Sequence, residues 1–235
     1  MPGIEILHQD SQNSGKPSFV AGHNYGQVSA VITNGKVSRS ILLMTEIQAS
    51  PPRKEGTKKL DGDTIVTQMV NLVHKTAKSI AEPVVVALDA YFSSASAWSA
   101  ADNTINETGE RLIEIVTRAQ TNSVAYSKFI PPAVKKRGQP RKYGKKLALY
   151  GLFSDMPSFI KTTLTLYGKK QRVRYLCMDL LWKLVDKLVR FVAVETESGI
   201  CVLMSTSLTL HPEAIIEIYA LRFKIEIEST NKRSS

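Results

Sequence analysis

Cysteine is scarce: Cys177 and Cys201 are the only two in 235 residues. A disulfide framework is therefore excluded, and a reducing setting is the expectation. No apolar stretch approaches the roughly 18 to 20 residues that a membrane helix needs, since even the run Pro83 to Phe92 is interrupted by Asp89. Met1 to Gln9 lacks the basic start and apolar run of a signal peptide, so the reading is a soluble, cytoplasmic chain. His8, His23, His74 and His211 fall in no HExxH or comparable metal spacing. Ser93-Ser94 makes no Gly-x-Ser-x-Gly elbow, which leaves a hydrolase triad without support. Aromatic residues are few, 7% of the chain, and Trp98 and Trp182 read as core or interface anchors. Acidic residues are outnumbered, 21 against 31 Lys and Arg, which leaves a formal charge of +10. A surplus of that size points to a polyanionic partner, nucleic acid first.

What is present is enough apolar material, 43% of residues, to fill a core in one generous domain or two small ones. Two β-like runs, Tyr25 to Thr33 and Ser38 to Ile47, flank Asn34-Gly35, a pair favoured in type I′ hairpin turns. Ile65, Met69, Leu72 and Val73 recur at helical spacing, with Asp61 or Asp63 as N-cap, and predict a helix to about Ile80. Pro83 to Ala90 is a continuous apolar run with three valines and reads as a buried parallel strand. A second helical pattern is predicted over Glu107 to Gln120, followed by a short strand at Asn122 to Tyr126. From Phe129 to Leu210 the sequence turns β-rich after a basic loop, with runs at Arg174 to Met178, Leu188 to Val194 and Ile200 to Ser205. Pro212 then opens a helix running to about Glu228.

Asp89 ends the valine-rich strand, the position at which open α/β sheets place ligand-binding and catalytic groups. The alternative is an aspartate that only caps the following turn. On the last helix Tyr219, Arg222 and Glu226 share an arc of about 60°. A buried Glu226 requires either a partner, which Arg222 one turn earlier would supply, or a metal. Asp89 and Glu226 together form an oxygen-rich pair of the kind that holds Mg²⁺ or Mn²⁺. Between Lys135 and Lys146 lie seven basic residues, Lys135, Lys136, Arg137, Arg141, Lys142, Lys145 and Lys146, interleaved with Tyr143. This run reads as a loop lying along a phosphate backbone, with Tyr143 placed to stack on a base. Its alternative is a solvated charge run.

Three strings carry a resemblance: Val85-Val86-Ala87-Leu88-Asp89-Ala90-Tyr91-Phe92, the basic run Lys136 to Lys146, and Tyr219-Ala220-Leu221-Arg222-Phe223-Lys224-Ile225-Glu226. In that order they resemble the Asp-Asp-Glu transposases of bacterial insertion sequences, in the branch marked by a Tyr-x2-Arg-x3-Glu helix. The resemblance implies an α/β fold, a ribonuclease-H-like mixed sheet flanked by helices with a β-rich insertion before the last helix. Residues 1–128 would form the core, 129–211 the basic insertion, and 212–235 the catalytic helix. Asp89 would be the second catalytic carboxylate and Glu226 the third, with Tyr219 and Arg222 positioning DNA. Two Mg²⁺ or Mn²⁺ ions, double-stranded DNA and a transposase homo-oligomer are the implied cofactor and partners. The family's first aspartate precedes the segment similar to Met1 to Gln9, so the expectation is a chain shortened at both ends and lacking that carboxylate; Asp10 is the only early candidate to replace it, and the Ser/Asn/Gly loop around it reads as solvated. Loss of that group would lower activity by orders of magnitude and spare DNA affinity. The alternative is a non-enzymatic remnant that binds DNA or heteromerises.

Overall fold

The computed structural model describes residues 5–8, 17–33, 38–48, 64–130, 141–154 and 156–223. Strands β1 (Glu5–His8) and β2 (Phe19–Gly22) form an antiparallel pair. They lead into β3 (Asn24–Thr33) and β4 (Ser38–Gln48), the expected hairpin, whose turn lies outside the described residues. Helix α1 (Ile65–Ile80) follows. Thr64 rather than Asp61 or Asp63 caps it, its hydroxyl accepting the Thr67 N–H at 3.2 Å, and Ala81 at φ 59° ends it.

Strand β5 (Val84–Ala87) runs parallel to β6 (Ile113–Arg118), and α2 (Ala95–Asn103) connects them. The helix predicted over 107–120 is therefore a strand, and the helix of this connection lies earlier, capped by Ser94. The reason is visible in the residues. Leu112, Ile113, Ile115 and Val116 satisfy helical spacing, yet all four are buried and three are β-branched, which suits a strand covered on both sides. Gly109 at φ 82° also turns the chain just before them.

The rest of the sheet comprises β7 (Val124–Lys128), β8 (Tyr143–Ala148), β9 (Ile160–Leu166), β10 (Lys169–Trp182), β11 (Lys187–Thr196) and β12 (Gly199–Ser205). Strand order is β5-β6-β12-β11-β10-β7-β8, with β9 beside β10. One parallel pair among antiparallel neighbours makes the protein a mixed α/β fold with a mixed sheet flanked by helices. The β-rich section continues this sheet, because β12 pairs with β6. Short 3₁₀ turns at Leu149–Ser154 and Met156–Ser158 separate β8 from β9.

Alternation along β6 divides the core. Ile113 and Ile115 face α1 and α2, where the Trp98 and Trp182 rings meet at 5.1 Å and 67°. Val116 faces the other way, with Val192 and Leu203, toward Ile215, Ile216 and Tyr219 of α3 (Pro212–Leu221). Each such aliphatic side chain contributes about 1.5 to 3 kcal/mol by leaving water. These two layers fix the carboxyl ends of β5 and β6 between helices.

Strand β5 ends the sheet. The N–H groups of Val84 and Leu88 bond to Leu112 and Val116 of the β6 segment, both at 2.9 Å, so the intervening Val85 and Ala87 aim their backbone groups outward. They face β3 across an apolar cavity of about 380 Å³, lined also by Val28, Ala30, Val73 and Leu221. No described strand lies between β3 and β5.

Candidate active site

Asp89 lies immediately beyond β5, where the chain tightens into a 3₁₀ turn at Ala90–Phe92. Its carboxylate Oδ1 accepts the Ala90 N–H at 2.6 Å, so it does cap this turn. Its carbonyl accepts the Phe92 N–H at 2.9 Å and the Thr117 hydroxyl at 2.8 Å. Thr117 is fully buried on β6. Three bonds thus anchor the residue, while half of its side-chain surface stays open to solvent. Capping occupies one carboxylate oxygen and leaves the other outside the turn.

The second oxygen faces α3. Arg222 Nη1 stands 3.9 Å from Asp89 Oδ2, with only 15% of the arginine side chain exposed. Its guanidinium packs over the Phe223 ring at 4.6 Å and the Tyr219 ring at 5.6 Å, and Phe223 meets Tyr167 edge-on at 5.4 Å. Cation–π contact of this kind suits a planar guanidinium in a partly dry site. Burial pushes the Tyr219 hydroxyl above its usual range, opposed by the charges of Arg222 and Arg118. His211 caps α3 and Pro212 occupies its first turn, so the helix begins where the sequence puts it.

Asp89, Tyr219 and Arg222 therefore come together. Glu226 lies outside the described residues, as do Lys135, Lys136 and Arg137. Arg222 meets Asp89, a pairing that sequence reasoning did not foresee. It also missed Thr117 and Arg118. A threonine inside an apolar strand, followed by an arginine at that strand's end, was the available signal.

The remaining basic residues lie at the far end of the sheet order, with Arg141 and Lys142 just ahead of β8 and Tyr143, Lys145 and Lys146 on it. The segment read as a loop is thus a strand from Tyr143 onward. Gly144 explains the misreading. A Cβ there would meet the Lys128 carbonyl at 2.7 Å, so glycine marks close strand contact and not a turn. Lys142 and the Tyr143 hydroxyl both engage Asp186, and the Tyr143 ring lies 5.1 Å from that of Tyr126. Lys145 and Lys146 are exposed.

As a metal donor, Asp89 presents hard oxygen chemistry. Its Oδ2 is too far from Arg222 for a hydrogen bond and is open to a cation. One carboxylate is a single ligand, and among the described residues no three His, Cys, Asp or Glu side chains gather. Likewise no described helix is long and apolar enough to cross a membrane. Compared with known proteins, the chain matches no family model and no curated protein.

Proposed function

We propose that this chain is the catalytic domain of an Asp-Asp-Glu transposase with a ribonuclease-H-like core, performing metal-dependent cleavage and strand transfer on DNA. The observation that carries the reading is Asp89 at the carboxyl end of a parallel strand, anchored by Thr117 and faced by Arg222 from the last described helix. Such strand ends are where α/β sheets hold their chemistry. Among the described residues no strand pairs with β5 on the side that faces β3, which supports it too, since a ribonuclease-H-like sheet would carry a strand there.

Asp89 and Glu226 would hold Mg²⁺ or Mn²⁺. Two such ions supply an activated attacking oxygen and a stabilised leaving oxygen in phosphodiester exchange. Arg222 and Tyr219 would orient the phosphate, and the exposed Lys145 and Lys146 would hold backbone further along. A second reading rests on the same open edge: a non-enzymatic chain that binds DNA and pairs its β5 edge with a strand of another transposase.

Nicking of supercoiled plasmid in Mg²⁺ or Mn²⁺ tests the proposal. Wild-type activity that vanishes in Asp89→Ala and in Glu226→Ala is the expected result. Nicking that survives either substitution overturns it. DNA retention with no metal-dependent nicking transfers the assignment to the binding reading.

A further inference from the structure

Beside Asp89 opens a second cleft, of mixed polar and apolar lining, that the chemistry above does not use. It measures about 610 Å³ and is lined by Ala90, Arg118, Gln120, Thr121, Asn122 and Tyr150, among others. Arg118 closes β6 one residue after Thr117, opposite Leu203 of β12, on the face that also carries α3. Its side chain is exposed, and it makes no ion pair among the described residues. Its charge acts on the Tyr219 hydroxyl and the Cys201 thiol, lowering the pKa of each against the effect of burial.

The rest of the cleft is uncharged and held by backbone hydrogen bonds. The Ser123 N–H returns to the Gln120 carbonyl at 3.0 Å, forming a tight turn that presents the Thr121 and Asn122 side chains. The Leu149 N–H bonds to the Ser123 carbonyl at 3.1 Å and so fixes Tyr150 beside that turn. Tyr150 also meets the Phe153 ring at 5.9 Å, leaving its ring half-buried against a firm support. No carboxylate is among the described lining residues. One cation, amide and hydroxyl donors and acceptors, and an aromatic ring form a site for a phosphate with its base. Tyr150 lies four residues from Lys146, in the 3₁₀ turn that directly follows β8, so the cleft adjoins the end of the basic strand.

We infer that this cleft seats an unpaired DNA strand leaving Asp89, with a phosphate on Arg118 and a base against Tyr150. The inference rests on the transposase reading and adds two residues to it, both positioning groups. An unpaired strand is specified because a ring in a cleft offers stacking only to a base released from its duplex.

The test is fluorescence anisotropy of a labelled single-stranded oligothymidylate and of a blunt duplex, titrated across sodium chloride with full-length chain. Arg118→Ala is expected to reduce the log–log salt slope by about one, and Arg118→Lys to restore that slope. Tyr150→Leu, which keeps an apolar side chain against Phe153, is expected to weaken single-strand binding roughly tenfold and leave duplex binding unchanged. Lys145→Ala separates the two levels of the argument. If it lowers the slope while Arg118→Ala and Tyr150→Leu change nothing, the cleft assignment falls and the transposase reading stands. If the wild type shows no salt-dependent retention of either DNA, both fall.

Discussion

Arg222 stands with its guanidinium 3.9 Å from the carboxylate of Asp89 and stacked 4.6 Å over the Phe223 ring, so one planar group serves an anion and an aromatic face together. Lysine reproduces the charge but not the plane. Arg222→Lys is expected to slow plasmid nicking about tenfold while changing DNA retention less than twofold. Thermal unfolding should shift little, because Asp89 is half exposed and such a pair contributes about 1 kcal/mol or less. Parallel nicking and anisotropy assays check the separation.

The Trp98 side chain is 2% exposed against Trp182, and its indole N–H has no hydrogen-bond partner among the described residues. Trp98→Ala should cost about 3 to 5 kcal/mol through the cavity it leaves. Trp98→Phe keeps a ring against Trp182 and discards an unsatisfied donor that costs about 1 to 3 kcal/mol, so it should destabilise far less. Urea unfolding followed by circular dichroism distinguishes the two.

How much of this was legible beforehand depended on whether a segment's pattern had one meaning. The β3–β4 hairpin, α1 and the start of α3 carry unambiguous spacing and turn signals, and all three were anticipated. Ile113 to Val116 carry two meanings, because a strand buried on both faces looks as apolar as a helix, and tertiary covering by α2 and α3 decided between them. In the site, Asp89, Tyr219 and Arg222 could be picked out as residue types in suggestive places. The contacts of Thr117 and Arg118 depend on the parallel register of β5 with β6, a long-range fact that no local spacing encodes.

Arg190 lies opposite Asp179 in the β10–β11 ladder and forks onto it at 2.8 and 2.9 Å. A third bond, to the Leu210 carbonyl at 2.8 Å, holds the approach to α3. Arg190→Ala should cost about 1 to 2 kcal/mol, a fall in Tm of roughly 2 to 8 °C for a chain of this size. Calorimetry gives the number, and a Tm unchanged from wild type would contradict the claim that this fork anchors α3.

Burial, with the charge of Lys78 in support, holds the His74 ring below its usual 6.5. Thr104 donates its hydroxyl proton to the Ala100 carbonyl, so His74 Nδ1 donates to the Thr104 oxygen at 2.7 Å. The unfolded chain binds the imidazole proton at a higher pH than the folded one. No penalty exists above the unfolded value; it grows as pH drops below 6.5 and levels off once the folded ring titrates. His74→Gln should therefore flatten the decline in stability between about pH 7 and pH 5. Urea midpoints measured across that window are the check.

Burial pushes the Cys201 thiol up to about 11 and raises that of Cys177 as well. Thiolate is the reactive form, so both residues should resist alkylation at neutral pH in the folded chain and react promptly in urea. Timed iodoacetamide labelling read by mass spectrometry measures the contrast.

Among the described residues no strand meets the outward-facing backbone of Val85 and Ala87, which leaves something like a free valence. Alongside it the β3–β4 ribbon carries Tyr25, Ile32, Ile41, Leu42, Leu43 and Ile47, each between 43% and 59% exposed. A chain built this way is governed by what it meets first on leaving the ribosome. If an extended segment reaches the groove early, it becomes a discrete particle. Failing that, growing concentration will join copy to copy, and the yield of single molecules from a cell will fall as expression rises.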